Sequence, residues 1–159
     1  MDIVIPTMED YEVINVLATQ VHELHVMWRP DLFNSVEKVI TEEELKDMIE
    51  KGKIYVAKID GKVVGYIVFG IVEKIYNNPK VRNKKLIDID AMCVDENYRG
   101  KGIGTKLLEF AQNVGLENNC TDIYLTVNEE NINAIKTYEK FGMRIKNLAY
   151  SKQIGGFNE

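Results

Sequence analysis

Cysteine, histidine, proline and tryptophan are all scarce in this chain: two, two, three and one among 159 residues. Two cysteines, Cys93 and Cys120, cannot build a disulfide scaffold or complete a zinc site. A reduced, cytoplasmic setting is the simplest expectation, with no metal. No apolar run approaches the ~20 residues a membrane helix needs; the longest, Val63 to Val72, is broken by Gly65 and Gly70. The opening Met1-Asp2-Ile3-Val4-Ile5-Pro6 carries neither the basic region nor the long apolar stretch of a signal segment. A cationic surplus is missing too: the net charge is −5 and the pI about 5.2. That argues against nucleic acid, whose binding rests on Lys and Arg contacts to phosphate. An acidic surface suits a cationic small substrate, and equally suits solubility alone.

What is present reads as one soluble domain over residues 1–159, with 45% hydrophobic and 28% charged residues. No repeat or linker interrupts it. Asp2 to Pro6 reads as a short strand, and Thr7, with Asp10 three positions on, as the cap of a helix. Ile14, Leu17, Ala18, Val21, Leu24 and Trp28 recur at helical spacing until Pro30. A second helix should start near Thr41, with Glu42, Glu43 and Glu44 in its dipole-favoured first turn and Gly52 at its end. Ile54 to Ile59 and Val63 to Val72 are strand-like, and Asp60-Gly61 between them is a two-residue hairpin turn. After a loop over Tyr76 to Asn83, Leu86 to Val94 is a strand and Gly102 to Leu116 a helix. Asp122 to Val127 is a strand, Asn131 to Phe141 a helix, and Met143 to Ser151 a last strand. The expected class is mixed α/β (α+β), a central sheet flanked by helices in the order β-α-α-β-β-β-α-β-α-β.

The turn Arg99-Gly100-Lys101-Gly102-Ile103-Gly104-Thr105 follows a strand and opens a helix. Unpaired N–H groups and the positive end of the dipole make such a helix start an anion site. Glycines let the backbone approach a ligand closely, and Arg99 and Lys101 add cationic donors for a pyrophosphate. The spacing is G-x-G-x-G, neither the Walker pattern nor the G-x-G-x-x-G of dinucleotide folds. Spacing alone also admits a glycine-rich helix start that binds nothing.

Arg99, Gly102 and Gly104 fill the pattern Q/R-x-x-G-x-G/A, and the segment Val94 to Gly104 resembles the acetyl-coenzyme A signature of the GNAT superfamily of N-acetyltransferases. Asn131, Ala134, Tyr138 and Gly142 resemble that family's second motif, N-x-x-A-x-x-x-Y-x-x-x-G-F, with Met143 in place of the phenylalanine. The resemblance covers roughly Lys51 to Tyr150. It implies the GNAT fold and transfer of acetyl from acetyl-CoA, as co-substrate, to a primary amine of a small molecule or protein. By the same resemblance, backbone groups of Met92, Cys93 and Val94 hold the pantetheine arm. The amides of Gly100, Lys101, Gly102, Ile103, Gly104 and Thr105, with Arg99, hold the pyrophosphate. Asn131 bonds the arm, and the Tyr138 hydroxyl sits by the sulfur. Met92 and Cys93 read as strand core as well, which a backbone role does not contradict.

The chemistry explains that tyrosine. A departing thiolate, with a pKa of about 8.5, needs a proton that a phenol of pKa about 10 can give. Asn131 and Tyr138 lie seven positions apart, two turns along one helix face. Asp88 and Asp90 alternate with Ile87, Ile89 and Ala91, so both carboxylates share a strand face. A carboxylate at the position of Asp88 is the general base in some family members. A solvated strand face, cation binding without proton transfer, and a water path for the proton are the other readings. No cysteine, serine or histidine constellation points to an acyl-enzyme. His22 and His25 read as packed helix residues and Tyr55, Tyr66 and Phe69 as core; the resemblance, whose helices in this region line the acceptor site, implies Trp28, Arg29, Asp31 and Phe33 as candidate acceptor contacts. An acyl-CoA-binding sensor of the same fold and a nucleotide-binding protein using the same loop are the rival readings. The acceptor and the oligomeric state stay open, although homodimers are common in the family.

Overall fold

The computed structural model describes residues 1–156. β1 (Asp2–Val4) leads through a 3-10 turn, Met8–Asp10, into α1 (Tyr11–Trp28); α2 (Glu42–Glu50), β2 (Ile54–Ile59), β3 (Lys62–Lys74) and β4 (Lys84–Val94) follow. After a second 3-10 turn, Glu96–Tyr98, come α3 (Ile103–Glu117), β5 (Asp122–Tyr124) and α4 (Ile132–Lys140). Local chemistry accounts for most boundaries. Thr7 N–H donates to the Asp10 carboxylate at 3.0 Å, but the turn they bracket is 3-10, and the α-helix begins after it. Thr41 and Glu44 form a complete capping box, each side chain bonded to the other's backbone N–H at 3.1 and 2.8 Å. Asp60 and Gly61 both have positive φ, 50° and 76°, the geometry of a tight hairpin turn.

The strands form one sheet in the order β1-β2-β3-β4-β5, antiparallel except for the parallel pair β4–β5 joined by the α3 crossover. α1 and α2 cover one face, where Ile14, Leu17 and Leu45 pack with Tyr66, Val68 and Cys93. α3 covers the other, where Leu107, Leu108 and Ala111 pack with Ile67, Phe69, Ile87 and Ile89. Burying each such side chain contributes roughly 1.5–3 kcal/mol.

β4 changes face partway along. Val68 pairs with Ala91 and Phe69 with Ile89, so Asp90 is an extra residue without a register partner. Across this bulge the α3-side positions shift from Ile87 and Ile89 to Met92 and Val94, while Ala91 and Cys93 face α1.

Two expected strands come out differently. β5 stops at Tyr124, short of Val127. Met143 to Ser151 forms no strand, so the order ends at α4. Ile145, Leu148 and Tyr150 in that stretch are 70%, 68% and 91% exposed. Strand preference describes fit to a pleated, half-buried surface, and here the stretch has no ladder and no sheet face to cover.

Candidate active site

The site begins where two strands part. β4 and β5 pair only over Leu86–Asp122, Ile87–Ile123 and Asp88–Tyr124. Beyond that rung β4 runs on to Val94, with β3 on one side and, among the described residues, no strand on the other. The edge from Ile89 to Val94 therefore offers backbone donors and acceptors to an extended, amide-bearing ligand. Met92, Cys93 and Val94 lie on it. Asp88 occupies the last paired rung and Asp90 the bulge, so both carboxylates flank the fork.

At the end of β4 the chain is tied down before it turns. Asp95, 8% exposed, donates its N–H to Val64 at 2.8 Å. Its carboxylate accepts from the Asn97 N–H and side-chain amide at 2.9 and 3.2 Å. Arg99 Nε donates back to the Val94 carbonyl at 3.2 Å, which holds the guanidinium at the strand end. Gly100 and Gly102 take φ of +76° and +79°, and a Cβ on either would meet nothing within 4 Å. Conformation, not crowding, demands glycine at both positions, and the space they face is open. Gly102 caps α3, so the first-turn N–H groups, Ile103 to Thr105, point out of the helix start.

α4 meets this turn directly. A Cβ on Gly104 would lie 3.5 Å from Thr137 Cγ2, 3.6 Å from Met92 Cε and 3.9 Å from Val94 Cγ2. Strand, glycine turn and the helix bearing Tyr138 thus share one packing point. Tyr138 is half-buried, and burial raises its phenol above the ordinary value of 10.0. At neutral pH it keeps its proton. Asn131 precedes the helix instead of lying in it: its Oδ1 caps α4 by accepting the Ala134 N–H at 3.3 Å. Its amide nitrogen stays available as a donor.

Cys93 is excluded as a nucleophile. Burial pushes its thiol up to about 12, and its Sγ donates to the Leu17 carbonyl at 3.3 Å. Tyr66 and Phe69 are core, at 4% and 3% exposed. Tyr55 is half-buried and stacks on Phe69 at 5.4 Å between ring centroids.

At the far end of α1, His25 packs edge-on against Trp28 and Phe33, both at 5.5 Å between centroids. One ring nitrogen of each histidine meets a backbone carbonyl: His22 with Asn34 at 2.7 Å, His25 with Val21 at 2.9 Å. Arg29 pairs with Asp31 at 2.6 Å and feels the charge of Glu129 on the loop before α4. Of the acceptor candidates in the first half, Arg29 therefore lies within reach of the charge on the loop that leads into α4.

Sequence reasoning missed the bulge at Asp90, because Ile-Asp-Ile-Asp alternates without a break. It also missed the Asp95 anchor, whose signal is the Asp-x-Asn turn pattern.

The description of the acetyltransferase (GNAT) family matches residues 19–143. The spermine/spermidine N(1)-acetyltransferase of Bacillus subtilis is 33% identical over 86 residues, 54% of this chain and 55% of that protein's length. This chain thus matches little more than half of that relative. An N-alpha-acetyltransferase of Sulfurisphaera tokodaii is 32% identical over 142 residues, 86% of this chain and 81% of its own. A crystal structure of a mutant BH1408 protein from Bacillus halodurans superposes with a TM-score of 0.91 at 30% identity, over 97% of this chain and 99% of that one. The family match spans the forked strand, the glycine turn and the tyrosine helix, and the chain belongs to the GNAT acetyltransferase family.

Proposed function

We propose that this chain catalyses direct transfer of acetyl from acetyl-CoA to a primary amine. The observation that carries the reading is the free edge of β4, which leads through the Glu96–Tyr98 turn to the open glycine turn beside α4. Such an edge fits the amides of a pantetheine arm, and the turn fits a pyrophosphate. Met92, Cys93 and Val94 hold the arm through backbone groups. Arg99 and the amides from Gly100 to Thr105 hold the diphosphate. Acetyl-CoA, when bound, supplies the acetyl group as an activated thioester.

In the transfer a bond forms from the amine nitrogen to the acetyl carbon, and the carbon–sulfur bond breaks. The Tyr138 phenol gives its proton to the departing sulfur. The amine's proton leaves to Asp88, at the fork, or to water. Asp90, exposed on the bulge, attracts the cationic form of the acceptor. A high thiol pKa at Cys93 supports a direct transfer with no acyl-enzyme. The contribution of the protein is mostly positioning.

The names of the two relatives point to acceptors of different kinds, polyamines and α-amines. Both support an amine acceptor. The test is a thiol-release assay with purified protein, acetyl-CoA and a panel of polyamines, aminoglycosides, amino acids and peptides. Release that depends on one amine class establishes the reading and names the acceptor. Tight acetyl-CoA binding with no release for any amine would overturn it in favour of a sensor.

A further inference from the structure

We infer that the stretch from Ile145 to Ser151 forms a strand on the outer side of β5 in a second copy of this chain, each copy lending its segment to the other. Two unmet halves of a ladder carry the inference. β5 ends the sheet order: it pairs with β4 on one side and, among the described residues, has no strand on the other. The Met143 N–H donates to the Tyr138 carbonyl at 3.0 Å, and from there to residue 156 the backbone makes no further backbone hydrogen bond among the described residues. A free edge strand and an unpaired stretch of strand-forming residues each offer what the other lacks. Leu148 and Tyr150 stand two positions apart, so as a strand they share one face. Ile154 follows, 93% exposed.

Geometry and charge favour a second copy as the partner. Lys146 Nζ lies 5.2 Å from the Tyr124 ring centroid, and its charge acts on Asp122. The segment therefore leaves the body beside its own β5 without pairing to it. With two β5 edges side by side about a twofold axis, an extended Asn147 to Tyr150 spans roughly 13 Å, enough to reach a strand position ~4.8 Å beyond the edge. Such an exchange closes on itself, because both segments and both edges are satisfied at once. Residues 143–156 carry Arg144, Lys146 and Lys152 and no carboxylate, whereas residues 118–135 around β5 carry Asp122, Glu129 and Glu130 and no lysine or arginine. Lys84 already bonds Asp122, and Arg29 feels Glu129, so charge sets orientation while apolar burial supplies most of the affinity. Ile145, Leu148, Tyr150 and Ile154 would bury roughly 500 Å² per copy before the backbone is counted, against ~800 Å² per partner in a standard interface.

The test is sedimentation velocity over a concentration series, paired with amide hydrogen exchange. The natural protein should reach twice the 18.3 kDa chain mass, and the amides from Ile145 to Ser151 should gain protection as the dimer forms. Leu148→Asp combined with Tyr150→Asp changes side chains that the single chain leaves exposed, so the variant should stay folded. It should weaken the dimer by at least about 10²-fold, because each copy then carries two unpaired charges into the interface, and the segment's protection should vanish. Val16→Asp, at a 55% exposed position on α1, should leave the dimer intact. A monomer at every concentration overturns the inference, including one whose segment is protected by folding onto its own β5. So does a dimer that survives the double substitution, or one that Val16→Asp weakens equally, because its interface then lies elsewhere.

Discussion

Gly104 and Thr137 meet across the junction of α3 and α4: a Cβ on the glycine would rest 3.5 Å from the threonine Cγ2. That is ordinary van der Waals contact, so this glycine is small without being squeezed. Gly65 differs. Its Cβ would stand 2.8 Å from the Cys93 backbone oxygen, which cannot move without shifting β4. Gly104→Ala should therefore leave stability within about 1 kcal/mol, or raise it through helix propensity. Gly65→Ala should cost about 1–3 kcal/mol as an overpacked contact. Urea denaturation separates the two, and equal effects would contradict this packing.

Tyr138→Phe removes the hydroxyl and keeps the half-buried ring. Turnover should fall about 10²-fold, with the KM for acetyl-CoA changed little. Because burial raises the phenol above 10.0, the donor stays protonated across neutral pH, and its loss of activity lies on the alkaline side, above the ordinary tyrosine range. Unchanged kcat in the variant would remove Tyr138 from the chemistry.

Asp88 and Asp90 divide by position, one at the last β4–β5 rung and one on the bulge. A proton acceptor acts on kcat and an attracting charge on acceptor KM. Asp88→Asn should lower kcat about 10²-fold, while Asp90→Asn should raise the amine KM and leave kcat within a small factor. Steady-state kinetics with the acceptor from the amine screen checks both. If Asp88→Asn leaves kcat intact, the proton leaves through water.

Much of this arrangement is legible in the sequence wherever a residue type answers to one backbone requirement. Gly100 and Gly102 announce the turn because its positive φ excludes side chains with a Cβ. Asp60-Gly61 announces the hairpin because aspartate tolerates, and glycine freely adopts, the positive φ its two turn positions require. Glu42, Glu43 and Glu44 after Thr41 mark a helix start because the dipole favours acidic residues in the first turn. The bulge was hidden because nothing in Ile87-Asp88-Ile89-Asp90-Ala91 breaks the alternation; only the offset of β3 against β4 reveals it. The last strand is not formed because Ile145, Leu148 and Tyr150, despite their strand preference, stay exposed and make no ladder with the edge of the sheet. The motif spacing puts Asn131 in the helix, whereas its side chain is the helix cap.

The two cysteines should behave differently. Ellman's reagent should titrate half-exposed Cys120 in the native protein and reach buried Cys93 only after denaturation. Cys93 has a folded-state pKa of about 12 against an ordinary 9.0. The raised value means that its contribution to stability is complete below pH 9 and is lost as pH rises through 9 to 12. The urea midpoint should therefore drop from pH 8 to pH 10.5, and drop less in Cys93→Ala. Cys93→Ala should also keep acetyl transfer, because no acyl-cysteine is formed. Loss of transfer in a folded variant would reopen a covalent route.

Asn131 carries two functions that one substitution can separate. Its Oδ1 accepts the Ala134 N–H, and its amide nitrogen faces no such demand. Asn131→Ala removes both and should cost about 0.5–2 kcal/mol of stability through the lost cap. Asn131→Asp keeps a capping oxygen, places a negative charge at the favourable end of α4, and deletes only the amide donor. Its melting temperature should match or exceed that of the natural protein, while the KM for acetyl-CoA rises several-fold, on the order of a hydrogen bond worth about 1 kcal/mol. A stable Asn131→Asp protein with unchanged KM would make Asn131 a cap alone. The cofactor arm would then be held entirely by the backbone of β4.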